Sequence, residues 1–476
     1  MSKPGISFLS EDDMKAIHNA SLEVLEKTGV KVMSDEALDI LKRCGAKVDY
    51  GEKHATIPGN LVEEALKRAP KTITYAARNP KYDFVLNKQE PHFCVEGMPP
   101  FVLDAETGKR RNSTSEDVAS FSVIADYLDH VDLLWPAVVT TEVSEPMQGL
   151  TEFMTCLRNT GKHVEHEALN ASNARYQIEI ASAIVGGREA LKRRPIISAV
   201  ACTISPLTYD GGIIEGAIEY GKAGIPVVVM PMPMMGTTGP VTLAGAIVAN
   251  NAEFLGNLVI LEFANPGAPV VYSAGAGAVD FRTGSEIASP EGSLIHLAIS
   301  QLTHYYDLPN EMVVTGGTTS KLLDTQAGYE RARTILTHIL TAPDIALGIG
   351  GLERDLLMSP EVLVIDNEII DYALKFMRGF EVNNETLAVD VINRVGPGGI
   401  YLGEKHTLEH FRERWMSRLS DIDSFETWQK KGAKSIGEVA KEKVKEILAT
   451  HKPEPMPEDV EKEISRILRR AEAELK

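Results

Sequence analysis

Eight short apolar runs, each followed by a longer stretch with helical periodicity, constrain this chain more than any other feature. In order they are HFCVEGM (92–98), VDLLWPAVV (131–139), KHVEHEA (162–168), PIISAVACTIS (195–205), IPVVVMPM (225–232), PVVYSAGAG (269–277), EMVVTGG (311–317) and IALGIGG (345–351). The helical stretches fall at 114–129, 145–159, 171–185, 210–223, 240–264, 290–306, 324–341 and 362–378. Several begin at helix-starting residues such as Ser113, Asp324 and the Ser289–Pro290 pair. Apolar runs alternating with helices imply βα units. Eight of them over roughly 290 residues predict an α/β fold, a (β/α)8 TIM barrel with helical N-terminal and C-terminal extensions. A doubly wound sheet fits less well, because no G-x-G-x-x-G follows the first run.

On this reading the chain divides into a helical N-terminal cap (1–90), the barrel (91–380) and a helical C-terminal extension (381–476). A hydrophobic content of 43% over 476 residues supports a sizeable core. The net charge of −18 repels phosphate backbones and anionic membrane surfaces, so neither nucleic acid nor a membrane is an expected partner. The N-terminus reaches charged residues too soon for a signal peptide, and no apolar run approaches the ~18 residues of a membrane span, so a cytoplasmic location is expected. Cys44, Cys94, Cys156 and Cys202 are far apart and read as reduced, mostly buried thiols.

In a barrel of this kind the chemistry sits at the carboxyl ends of the strands. That rule selects Glu96, Glu165, His166, Glu167, Thr203, Ser205, Tyr209, Asp210, Asp280, Phe281, Arg282, Thr318, Ser320 and Lys321; Phe101 and Tyr272 are further aromatics at or near strand ends, and Gly316 and Gly317 end the seventh run. KHVEHEA is the densest ionisable cluster. In a strand His163, Glu165 and Glu167 share one face while His166 points to the other, so the four cannot meet one metal ion, and no metal site is expected. In AVDFRTGSE, Asp280 and Arg282 read either as a loop-fixing salt bridge or as part of an anion clamp beside Phe281. VVTGGTTSK suggests a phosphate cradle, but the full G-x-x-x-x-G-K-[ST] spacing is missing.

Several motifs in one order carry a family resemblance: MPMMGTTGPVTLAGA, VDFRTGS, GGTTSKLLDTQAGYE, VLVIDNEII and GPGGIYLGEKHTLEHFRERW. Together they resemble the trimethylamine:corrinoid methyltransferase family along almost the whole chain. The resemblance implies a barrel that moves a methyl group from an amine to the cobalt of a separate corrinoid protein. Trimethylamine enzymes of that family carry pyrrolysine at or next to the position of Gly317, whereas this chain has ordinary residues throughout. It therefore resembles the non-pyrrolysine branch, whose donors are glycine betaine and related quaternary amines such as proline betaine or carnitine.

A quaternary ammonium already bears the charge that makes its amine a good leaving group. Positioning alone would then suffice, with no catalytic residue assigned. The candidate residues would surround the cation with aromatic faces and carboxylates and hold a carboxylate with Arg282, His166 or Lys321. The chain has no D-x-H-x-x-G, so no tightly bound cofactor is expected, and the corrinoid would come with a cognate partner protein. A homo-oligomer is also expected. Two alternatives stand beside this reading: a barrel enzyme acting on a phosphorylated small molecule, and a non-catalytic quaternary-amine-binding protein.

Overall fold

The computed structural model describes residues 5–313 and 318–475. Eight parallel strands close into a barrel: β1 (His92–Val95), β2 (Leu133–Leu134), β3 (His163–Glu167), β4 (Ile197–Cys202), β5 (Val227–Met230), β6 (Val270–Ala274), β7 (Asn310–Val313) and β8 (Ile345–Ile349). Neighbours follow in sequence order and β8 pairs with β1. Every apolar run of the sequence supplies one strand.

The helices that follow are α1 (Ser115–Tyr127), α2 (Glu145–Asn159), α3 (Ala171–Val185), α4 (Gly211–Lys222), α5 (Leu243–Ala264), α6 (Pro290–Tyr305), α7 (Thr325–Ile339) and α8 (Pro360–Arg378). Asp324 caps α7 by accepting from the Ala327 amide at 3.0 Å, and Ser289 caps α6. The expected start at Ser113 is displaced by one residue. Thr114 forms a capping box with Asp117, because the Ser113 hydroxyl is committed to the Val139 carbonyl at 2.6 Å.

Among the described residues one helix, α5, is by length and composition apolar enough to cross a membrane, which corrects the expectation that no segment approaches that length. It packs on the barrel beneath the N-terminal helices Glu11–Lys27 and Gly59–Arg68, and 72% of its most apolar window is buried. Burial on all sides is what such a composition requires in a folded wall.

Side-chain alternation divides each strand into an outward set packed under the helices and an inward set filling the barrel. Cys94, Leu133, Val200, Val228, Val271, Ile345 and Leu347 form the inner apolar cluster. An antiparallel hairpin, Ile73–Tyr75 with Phe84–Leu86, joins that cluster and plugs the amino ends of the strands. Tyr75 stacks on His163 at 4.4 Å and Phe84 on His92 at 4.1 Å between ring centroids. The barrel is thus closed at one end. At the other, two small sheets rise around the mouth: Met234–Met235 with Gly277–Val279 and Glu286–Ile287, and Phe101–Leu103 with Arg110–Asn112, Gly351–Leu352 and Leu357–Met358.

Two C-terminal helices, α9 (Ile436–Thr450) and α10 (Glu458–Leu475), pack on the barrel's outer helices, α9 against α8 and α1, α10 against α3 and α2.

Candidate functional site

Register brings three inward side chains together at the open end. Cys94 pairs with Leu133 and Leu133 with His163, so two residues further along Glu96, Trp135 and Glu165 stand side by side on β1, β2 and β3. Trp135 lays its indole on Gly97, where a Cβ would come within 2.1 Å of the ring, so residue 97 has to be glycine. The indole N–H is buried with no partner among the described residues. An acidic and aromatic floor results.

Two carboxyl pairs dominate its electrostatics. Glu165 meets Glu311 of β7 inside the barrel, with Ser273 beside Glu311 in register. Burial raises the Glu165 carboxyl to about 7 and, together with the charge of Glu165, holds Glu311 well above the carboxylate range. At the mouth, burial and then the facing Asp355 raise Glu96 likewise. Glu167, one turn of the pleat above Glu165, is also raised by burial.

Hydrogen-bond counting points the same way. The His163 Nδ1 lies 2.7 Å from the Ala76 carbonyl, which only an N–H can satisfy. The Ser198 hydroxyl then lies between His163 Nε2 at 3.0 Å and Glu165 Oε2 at 2.7 Å. Its single proton serves one of them, so the other contact needs an added proton, on the imidazole or on the carboxyl. Burial depresses His163 to about 3, which leaves the proton on Glu165.

The loop after β8 is held from below. Arg331 of α7 and Asp366 of α8 form a buried ion pair, Nε to Oδ1 at 2.6 Å. Arg331 also donates to the Gly351 carbonyl, and Asp366 accepts from the Gly350 amide at 2.7 Å. Beyond these glycines Glu353, Arg354 and Asp355 all have positive φ, 53°, 49° and 62°. Backbone strain of this kind accumulates where a side chain has to be aimed, and here it presents Asp355 to Glu96.

Of the sequence candidates, Glu96 and Glu165 line this floor. Phe101 stands in the sheet above it with its face covered by the Arg110 guanidinium at 3.5 Å. Three candidates face away, and each is a correction. His166 points outward from β3 toward Glu152 of α2 (3.5 Å) and Gln177 of α3 (3.3 Å). Tyr272 points outward from β6, stacked on Phe254 at 3.6 Å, its hydroxyl within 3.2 Å of the Asn250 and 3.1 Å of the Asn251 side-chain oxygen. Tyr209 lies outside the barrel, in a strand paired with Val30–Val32, its hydroxyl donating to the Glu253 carbonyl at 2.8 Å.

Phe281 is 68% exposed over Gly236, and Arg282 bridges Asp280 at 2.5 Å with its side chain in solvent, so the loop-fixing salt bridge is the one formed. Lys321 is exposed and donates to the Thr319 carbonyl at 2.8 Å. Gly316 and Gly317 lie outside the described residues. Thr318 donates to Glu330 at 2.7 Å, the Thr319 amide to the same carboxylate at 2.9 Å, and Ser320 to Asp324 at 3.0 Å. Among the described residues of this loop, the donors of Thr318, Thr319 and Ser320 that a phosphate would use are taken by the chain's own acids.

Among the described residues no three His, Cys, Asp or Glu side chains gather as metal ligands. A cavity of about 560 Å³ lies away from the mouth, between α1, α8 and α9, and is lined by none of the candidate site residues. Trp135, Glu311 and Asp355 were missed by the sequence reading. Trp135 carried the clearest signal, an indole at the end of the second apolar run.

A closed parallel barrel, plugged below and polar at its open end, is the frame of a barrel enzyme. The chain matches the Trimethylamine methyltransferase (MTTB) family over residues 2–476, and it belongs to that family. It is 35% identical to a trimethylamine methyltransferase of Desulfitobacterium hafniense (strain DSM 10664 / DCB-2), covering 99% of this chain and 95% of that one. It is 30% identical to a glycine betaine methyltransferase of Desulfitobacterium hafniense (strain Y51), covering 96% and 95%. A trimethylamine methyltransferase of Methanosarcina barkeri is 33% identical, with coverage of 98% and 95%. The fold is similar to the crystal structure of the Methanosarcina barkeri monomethylamine methyltransferase, with a TM-score of 0.53 at 12% identity, over 99% of this chain and 88% of that one.

Proposed function

We propose that this protein transfers a methyl group from a quaternary amine, glycine betaine or a related betaine, to the Co(I) of a corrinoid carried by a separate protein. The observation that carries the donor class is the floor of Glu96, Trp135 and Glu165: carboxyls and an indole suit a cation with no N–H to donate. A quaternary ammonium entering this space offsets the charge that each carboxyl pair cannot hold alone, so Glu165 ionises as the cation binds. The leaving group is then a neutral tertiary amine, and no acid has to supply a proton to it.

The chain's own part is positioning. Trp135 and the carboxyls fix the ammonium with one methyl directed out of the mouth, and the methyl acceptor approaches from that side. The barrel supplies the site, while the segments before residue 91 and after residue 380 plug, cover and buttress it. The test is steady-state methylation by glycine betaine with Glu96→Gln and Trp135→Leu. Both variants are expected to raise the KM for the betaine, and an unchanged KM in both would remove this floor as the donor site.

A further inference from the structure

His166 turns away from the floor, and Arg282 and Lys321 lie exposed, so none of the residues expected to hold a betaine's carboxylate stands beside the ammonium site. A donor that carries its own carboxylate still needs a cation there, and the loop after β8 supplies one. Its left-handed turn sends three successive side chains to three partners around the mouth: Glu353 to Arg110 at 3.0 Å, Arg354 to Glu286, and Asp355 to Glu96. The Glu353 amide donates to the Ser320 carbonyl at 2.8 Å and the Arg354 amide to the Thr318 carbonyl at 2.9 Å, which pins the turn to the neighbouring loop. The same loop lies against the floor: a Cβ on Gly351 would stand 3.0 Å from Glu96 Cγ.

Arg354 differs from the other arginines of the mouth in its surroundings. Its side chain is 13% exposed, against 42% for Arg110 and 88% for Arg282. It lines a cleft at the carboxyl ends of β6 and β7, together with Val313, Arg333 of α7, and Ser289 and Ser293 at the start of α6. The Arg333 Nε is buried with no partner among the described residues, and the positive end of the 16-residue α6 adds to the same potential. Glu286, the acid that Arg354 meets, is the more exposed of the two at 24%, and it can turn into water when another carboxylate takes its place. Exchanging one carboxylate for another keeps the guanidinium paired throughout, so its burial is never left uncompensated.

We propose that Arg354 is the carboxylate anchor of the donor site, exchanging Glu286 for the carboxylate of a betaine while Glu96, Trp135 and Glu165 hold the ammonium. This rests on the proposed function and narrows it: the site selects a zwitterionic quaternary amine over a tetraalkylammonium ion that has no carboxylate. The two charges of glycine betaine are one methylene apart, and the anchor is next in the chain to Asp355, which meets Glu96. The charge of Arg354 is felt at Glu96 as well, where it opposes the effect of burial. A guanidinium grips a carboxylate through two parallel N–H donors, which fixes the plane of the carboxylate. With the ammonium end held by the floor, that grip decides which methyl is directed out of the mouth.

Equilibrium calorimetry on the full chain, with glycine betaine and with tetramethylammonium, tests this without any corrinoid. The second ligand has the same head group and no carboxylate. The wild type should bind glycine betaine on the order of 10- to 150-fold more tightly, the span of hydrogen bonds to a charged group. Arg354→Gln should abolish that preference by weakening glycine betaine alone, whereas an arginine with a merely structural role would weaken both ligands alike. Should that variant misfold, Glu286→Gln keeps the guanidinium and removes its competitor, and it should tighten glycine betaine but not tetramethylammonium. An unchanged preference or an equal weakening of both ligands in Arg354→Gln, or no tightening in Glu286→Gln, would each overturn the anchor. A wild type that binds tetramethylammonium as tightly as glycine betaine also overturns it and leaves the quaternary-amine reading standing, while one that binds neither removes both.

Discussion

Glu165→Gln isolates the proton held inside the barrel. The carboxyl is fully buried, and burial, which penalises the charge, pushes it up from its ordinary 4.5 to about 7. An acid raised in this way keeps its proton in the folded chain while the unfolded chain has lost it. Its contribution to stability is therefore fully present below pH 4.5 and is lost as pH rises to 7. Two and a half units correspond to about 3 kcal/mol. The amide preserves shape and the contact with Ser198 but does not titrate. Urea unfolding of both proteins over a pH series should show the wild type losing about 3 kcal/mol more than the variant between pH 4.5 and 7.5. The same proton should leave when a cation binds. Calorimetry of glycine betaine binding at pH 6.5, in buffers of different ionisation heat, should detect more proton release in the wild type than in the variant. Parallel stability curves, with a difference constant to within about 0.5 kcal/mol, would refute the assignment of the proton to Glu165.

Trp135→Leu should raise the KM for a quaternary amine roughly 2- to 30-fold, the span of a cation–π contact of about 0.5–2 kcal/mol, with a smaller change in kcat. Arg331→Met strands Asp366 in the interior and should cost about 3–5 kcal/mol by chemical denaturation. It also frees the Gly350–Gly351 loop that presents Asp355, so activity should fall in the residual folded fraction. Arg282→Ala should leave turnover within about twofold of wild type, because it removes only an exposed bridge to Asp280. A loss of betaine binding there would restore the anion-clamp reading.

The barrel was legible because its strands are continuous apolar runs and its helices carry their own caps, as at Asp324 and Ser289. The site was legible only in part, and the reason is parity. Strands buried on both faces show no polar side, so the sequence separates Glu165 from His166 without saying which of them looks into the barrel. Tyr272 fails for the same reason, one residue away from the inward Val271. Tyr209 fails for another: the loop after β4 leaves the mouth to join the N-terminal sheet. The pairing of Glu165 with Glu311 crosses the barrel between β3 and β7, 146 residues apart, and no local pattern could announce it. The plug at the amino ends was hidden similarly, in a hairpin too short to stand out from its helical surroundings.

The central claim, a quaternary amine as methyl donor, is tested most directly by following the Co(I) corrinoid protein to its methylated form spectroscopically. The purified chain would be given glycine betaine, proline betaine, carnitine, trimethylamine and dimethylamine in turn. Methylation with at least one quaternary donor, far faster than with trimethylamine or dimethylamine, is the predicted result. Methylation by trimethylamine alone, or by none of the panel with a corrinoid protein shown to be active, would contradict it.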